Sequence, residues 1–73
     1  MSIMAVVKIG RRLKEQRIRR FMTQEQFAKL IGISPRQLAR IERNDVDPHF
    51  STIIKIAERL GVEPDDLVDR DQS

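Results

Sequence analysis

The sequence predicts a small all-α domain of five helices, and three observations carry that reading. Apolar residues recur at three- and four-residue spacings along successive stretches, as the faces of short amphipathic helices do. Residues that open and close helices fall at the borders of those stretches. No stretch alternates polar and apolar residues in the way a half-buried strand would. With 73 residues, 40% of them hydrophobic, the chain forms one domain with a modest core.

The first helix is expected from about Val7 to Arg20, with Ile9, Leu13 and Arg17 at successive four-residue steps on one face and basic residues between them. Thr23-Gln24-Glu25-Gln26 has the form of a capping box, in which the Thr23 hydroxyl accepts from the Gln26 amide and the Gln26 side chain reaches back to the Thr23 amide. A short second helix follows, with Phe27, Leu30 and Ile31 facing inward and Gly32 as its left-handed stop. Ser34-Pro35-Arg36-Gln37 is a second box, with Pro35 at the first helical position, where a missing N–H costs nothing. The third helix therefore runs from Pro35 to about Arg43. A fourth, from Pro48 or Ser51 to Leu60, buries Ile53, Ile56, Ala57 and Leu60 and ends at Gly61. Pro64-Asp65-Asp66-Leu67-Val68 opens a short fifth helix, its acids near the positive end of the helix dipole. Residues 1–6 read as an N-terminal extension, 7–68 as the domain and 69–73 as a frayed tail.

Two short capped helices joined by a turn that contains Gly make a helix-turn-helix. On the third helix Leu38 and Ile41 turn inward, while Arg36, Arg40 and Arg43 share another face. An α-helix fits the DNA major groove, and a guanidinium there can donate two hydrogen bonds to guanine N7 and O6. Arg36 and Arg40, nearer the leading end, are the expected base readers, and Arg43 rises toward the phosphates. Glu42 falls beside the apolar face, where a lone carboxylate is costly. Arg17, on the inward side of the first helix, is its expected partner in an architectural ion pair.

Charge supports the same direction. Residues 1–43 carry a balance of +8 and residues 44–73 a balance of −5, so the net +3 hides a polarised chain whose basic half suits a polyanion. The absence of cysteine excludes disulfides, thiolate metal sites and thiol nucleophiles, and the single His49 excludes a multi-histidine cluster; no metal or cofactor is expected. No apolar run approaches the length of a membrane span, and a cytoplasmic protein is the default.

Four stretches resemble the lambda-repressor-like helix-turn-helix family of phage repressor, Cro and Xre type. They are Ile9-Gly10-Arg11-Arg12-Leu13 through Arg17; Met22 through Ala28; Gly32-Ile33-Ser34 through Ile41-Glu42; and Pro48 with Thr52 through Val62. The resemblance implies a five-helix domain that binds operator DNA, usually as a two-fold dimer, with the third helix in the major groove. It places Gln24 on a phosphate, and Ser34, Pro35, Arg36 and Arg40 toward bases or the adjoining backbone; Gln37, Arg43 and Asn44 complete the expected DNA-binding set. It also sets Arg17 and Glu42 on the family's interhelical salt bridge and Ala28 where the second and third helices approach closely. Five positions depart from the pattern: Phe21 and Asn44 stand where Gly is common, Gln16 where an apolar residue is usual, and Asp45 and Asp47 in a loop that often approaches phosphate. That loop is expected to turn away from DNA or to lose its contacts.

The leading functional reading is a sequence-specific, double-stranded DNA-binding transcriptional regulator, a repressor acting as a homodimer. The competing reading is an antitoxin-type module that binds a partner protein through Phe21, Ile18 and the apolar N-terminal stretch and uses DNA binding for autoregulation. An enzyme is not expected, because His49 with Asp45 and Asp47 offers no assembled catalytic set.

Overall fold

The structure, a computed structural model, describes residues 8–69. Four α-helices follow one another: α1 (Gly10–Arg19), α2 (Gln24–Ile31), α3 (Pro35–Glu42) and α4 (Phe50–Leu60). A single 3-10 turn, Pro64–Leu67, takes the place of the expected fifth helix. Its Pro start and the reciprocal Glu63–Asp66 cap open it, but the backbone is already extended at Val68 (φ −86°, ψ 127°) and no further turn forms. No helix among the described residues is long and apolar enough to cross a membrane.

The first helix begins three residues later than its apolar spacing implies. Lys8 is held in an isolated antiparallel bridge, its carbonyl accepting from the Asp69 amide at 2.8 Å, so the helix cannot open until the chain has passed it. The same bridge corrects the expectation of a tail frayed from residue 69. Asp69 also receives two hydrogen bonds from Arg11, from Nε at 2.8 Å and from Nη2 at 2.7 Å, which clasps the end of the domain to its beginning. The rest of that tail and the N-terminal extension lie outside the described residues.

The second helix opens on the full Thr23–Gln26 capping box and closes at Gly32, whose φ of 83° is the left-handed stop. At α3 only half of the second box forms. The Ser34 hydroxyl accepts from the Gln37 amide at 3.0 Å, while the Gln37 side chain makes no return bond and stays exposed. His49 occupies the N-cap of α4 without a side-chain hydrogen bond, and Gly61 (φ 71°) ends that helix.

Every element gives side chains to one core. Ile9 and Leu13, Phe27, Ala28 and Ile31, Leu38 and Ile41, and Ile53, Ile56, Ala57 and Leu60 meet there, with Leu67 of the 3-10 turn fully covered at its base. Ala28 is fully buried, consistent with a close approach of α2 to α3. Leu30, expected inside, is half-buried and packs at the margin. Gln16 is buried where an apolar residue would be unremarkable, and its Oε1 accepts from Arg20 Nη1 at 2.6 Å, so the polar atom is satisfied.

Candidate nucleic-acid interface

Three chain features aim α3 outward. Gly32 turns the chain sharply after α2, Ser34 caps the next helix at once, and Leu38 and Ile41 anchor its inner face in the core. That anchoring leaves Arg36, Gln37, Arg40 and Arg43 exposed together on the outer side. Arg36, Ala39, Arg40 and Arg43 line one shallow open groove along the helix. A second concavity, between α3 and the loop leading to α4, is lined by Ser34, Arg36, Gln37, Arg40, Asp47 and Thr52 among others.

The arginines differ in availability. Arg36 and Arg40 have no ion-pair partner among the described residues. Arg43 does: its Nε donates to Asp45 Oδ2 at 2.9 Å. Arg43, expected to rise toward the phosphates, is held in this structure by a carboxylate two residues on. Both side chains are largely exposed, at 64% and 48%, so this contact is cheap to exchange for another anion.

Behind the exposed face lies a tight polar lock. Glu42 Oε2 accepts from Arg17 Nε at 2.8 Å, and Glu42 Oε1 accepts from Arg17 Nη2 at 3.1 Å and from Gln24 Nε2 at 3.0 Å. Arg17 Nη1 donates in addition to the Met22 carbonyl at 3.1 Å. The Glu42 side chain is only 4% exposed and that of Arg17 15%, so α1, the turn into α2 and the end of α3 are joined by one nearly dry network. Hydrogen bonding to Glu42 outweighs burial and raises the Arg17 guanidinium above its ordinary value. Gln24, the first residue of α2, is thereby oriented by Glu42. One Nε2 hydrogen is committed to Glu42, and beside it the Gln26 amide is taken by the Thr23 hydroxyl.

Sequence reasoning did not find the Gln24–Glu42 bond or the role of Gly10. A Cβ on Gly10 would overlap the Ile41 carbonyl oxygen and lie within 2.7 Å of Asn44 Oδ1, so α1 and the C-terminal end of α3 approach as only a glycine permits. A glycine at the start of an otherwise basic helix was the available signal. Asn44 takes the left-handed conformation, φ 60°, that a glycine would supply, and its amide donates to the Ile41 carbonyl at 2.9 Å. Phe21 adopts φ 57° with its ring 95% exposed, beside Ile18 at 54%.

Two short helices at this turn, the second capped and presenting arginines, define a helix-turn-helix domain. A helix-turn-helix family model matches residues 13–67, and the chain belongs to that family. Among similar proteins, the HTH-type transcriptional regulator ImmR of Bacillus subtilis is 32% identical over 66 residues, which cover 90% of this chain and 52% of that protein. The immunity repressor protein of Bacillus phage phi105 is 37% identical over 60 residues, 82% of this chain and 42% of the repressor. The chain thus spans about half the length of these two relatives. The crystal structure of the restriction-modification controller protein C.AhdI from Aeromonas hydrophila superposes with a TM-score of 0.74 at 34% identity, covering 85% of this chain and 94% of that one.

Proposed function

We propose that the chain is a sequence-specific, double-stranded DNA-binding transcriptional regulator that acts as a repressor. The observation that carries this reading is the pair of guanidiniums, Arg36 and Arg40, that have no ion-pair partner among the described residues and stand on the outer face of a short capped helix whose inner face is locked into the core. In the major groove they read guanine edges, each bidentate contact contributing about 1–3 kcal/mol of discrimination. Gln24, placed at the start of α2 and held by Glu42, meets a phosphate together with the α2 N-terminal amides. Ser34 and Gln37 reach the flanking backbone or bases, Pro35 packs against a thymine methyl, and Arg43 exchanges Asp45 for a phosphate. Asn44, turned back toward Gly10, supports the α3 end more than it contacts DNA. A two-fold dimer places two such helices one turn of DNA apart, about 34–36 Å. A reader of DNA works where the DNA is, which gives the cytoplasmic location, and nothing in this role calls for catalysis.

The names of the two curated relatives, one a transcriptional regulator and one an immunity repressor, support the reading. Phe21 and Ile18 form the surface a partner protein would use, but those names favour DNA over the antitoxin-type alternative. The test is selection from a randomised duplex library with the pure protein, followed by titration of the winning site at two salt concentrations. The expected result is one enriched motif with two-fold symmetry, bound far more weakly at about 200 mM than at about 50 mM salt through counterion release. Selection that enriches no motif overturns the proposal.

A further inference from the structure

We infer that Asp47, in the loop between α3 and α4, is a specificity-determining residue that selects a base carrying a major-groove amino group beside the base read by Arg40. The inference rests on the DNA-reading role proposed above. Asp47 is not carried on a loose loop. The Asp45 amide donates to the Arg40 carbonyl at 2.9 Å, the Asn44 amide to the Ile41 carbonyl at 2.9 Å, and half-buried Val46 packs against the core. Pro48 follows with its fixed φ. The side chain so placed lines the same concavity as Ser34, Gln37 and Arg40.

The two loop carboxylates are used differently. Asp45 holds Arg43, whereas Asp47 has no hydrogen-bond or ion-pair partner among the described residues, although the equally unpartnered Arg40 lines the same concavity. An ionised carboxylate offers acceptors only. Against a major-groove edge it is satisfied by the amino hydrogens of cytosine N4, or by those of adenine N6, and it is repelled by guanine O6 and thymine O4. Against a phosphate it is repelled without regard to sequence. Asp47 beside an arginine therefore makes a complementary pair of readers, one donor and one acceptor, fixed on the same rigid corner.

The test is library selection with the unaltered chain, Asp47→Ala, Asp47→Asn and Arg40→Ala, with affinities measured on duplexes changed at single positions. The side chain is exposed and has no hydrogen-bond or ion-pair partner among the described residues, so the variants should fold as the parent does, which their circular dichroism checks. The expected result is one position per half-site, next to the one lost in Arg40→Ala, where cytosine is preferred and guanine and thymine are rejected by about tenfold. Asp47→Ala abolishes that preference, and Asp47→Asn, which can also donate, relaxes it to admit thymine or guanine. An unchanged motif with affinity raised equally on all duplexes would make Asp47 a phosphate repellent only and overturn the inference. A loss confined to the position that Arg40→Ala also loses would make it an orienting residue for Arg40 and overturn it equally. Absence of any motif with the unaltered chain removes the DNA-reading role itself, which separates that failure from the other two.

Discussion

Removing either partner of the Arg17–Glu42 pair is the most severe single change the structure points to outside the apolar core. Glu42 accepts three hydrogen bonds on a side chain 4% exposed, and two of them come from Arg17. Arg17→Met leaves a buried carboxylate with the Gln24 amide alone, a situation that costs about 3–5 kcal/mol. Glu42→Gln keeps an oxygen acceptor but loses the ionic part of each bond, for an expected loss of about 1.5–3 kcal/mol. For a chain of this length total stability is on the order of 4–11 kcal/mol, so the first variant approaches unfolding. Arg17→Met combined with Glu42→Leu removes both charges and should recover part of the loss, because no unpaired ion remains. Urea denaturation followed by far-ultraviolet circular dichroism measures all three together with Glu42→Leu alone, and the coupling in the cycle of Arg17→Met and Glu42→Leu is expected at about 2–3 kcal/mol. Single losses below about 1 kcal/mol that add within about 0.5 kcal/mol would class the pair with ordinary surface ion pairs and refute the reasoning.

Gly10→Ala sets two effects against each other: helix propensity favours Ala by about 1 kcal/mol, while overlap with the Ile41 carbonyl costs about 1–3 kcal/mol or more. Packing should win, and a melting temperature that rises would show that the α1–α3 approach can relax. Phe21→Gly relieves a left-handed aromatic that buries almost nothing, so a gain of about 1 kcal/mol and a melting temperature higher by about 4–8 °C are expected. A lower melting point would mean that the ring contributes to the fold. Asp69 is held below the ordinary carboxyl range by its hydrogen bonds from Arg11, opposed by desolvation and aided by the charges of Arg11, Arg12 and Lys8. A depressed folded-state value means that this contribution is present above the unfolded-state pKa and is lost as pH falls through the folded-state one. Asp69→Asn should therefore flatten that part of the acid limb in thermal melts below about pH 4, and an unchanged limb would assign it to other carboxylates.

What was legible in the chain is what depends on neighbours in sequence. Thr23 to Gln26, Ser34 to Gln37, Gly32 and Gly61 act within one turn, so element order and the outward aim of Arg36 and Arg40 could be read directly. Arg17 with Glu42 was reachable because each sits on the inward side of an amphipathic helix, where a charge needs a partner. Arg11 with Asp69 was not, since 58 residues separate them and nothing local at either marks it as paired. Arg43 with Asp45 was missed for a different reason: each charge had been weighed against DNA, one as attraction and the other as repulsion, and not against the other. The fifth helix failed on length, because its four residues cannot extend past Val68 once the chain turns to pair with Lys8.

The polarised charge also takes on a different meaning once its partners are known. Of the basic excess in residues 1–43, Arg17 is bound to Glu42, Arg11 to Asp69 and Arg43 to Asp45, and Arg20 caps Gln16 and the Leu60 carbonyl. Arg17 and Arg11 are paired with carboxylates and so release fewer counterions on docking than the sequence balance implies, whereas Arg20, bonded only to neutral oxygens, keeps its full charge and Arg43 can exchange Asp45 for a phosphate. Under the proposed docking, Asp45 and Asp47 lower the phosphate attraction of the α3–α4 corner still further. The sequence-independent part of binding is then smaller than the +8 balance of residues 1–43 implies. In that proposed docking, discrimination falls to the groups without an ion pair at the groove among the described residues, above all Arg36 and Arg40. A regulator built this way gains its ratio of specific to non-specific affinity by withholding charge from the backbone as much as by adding contacts to bases.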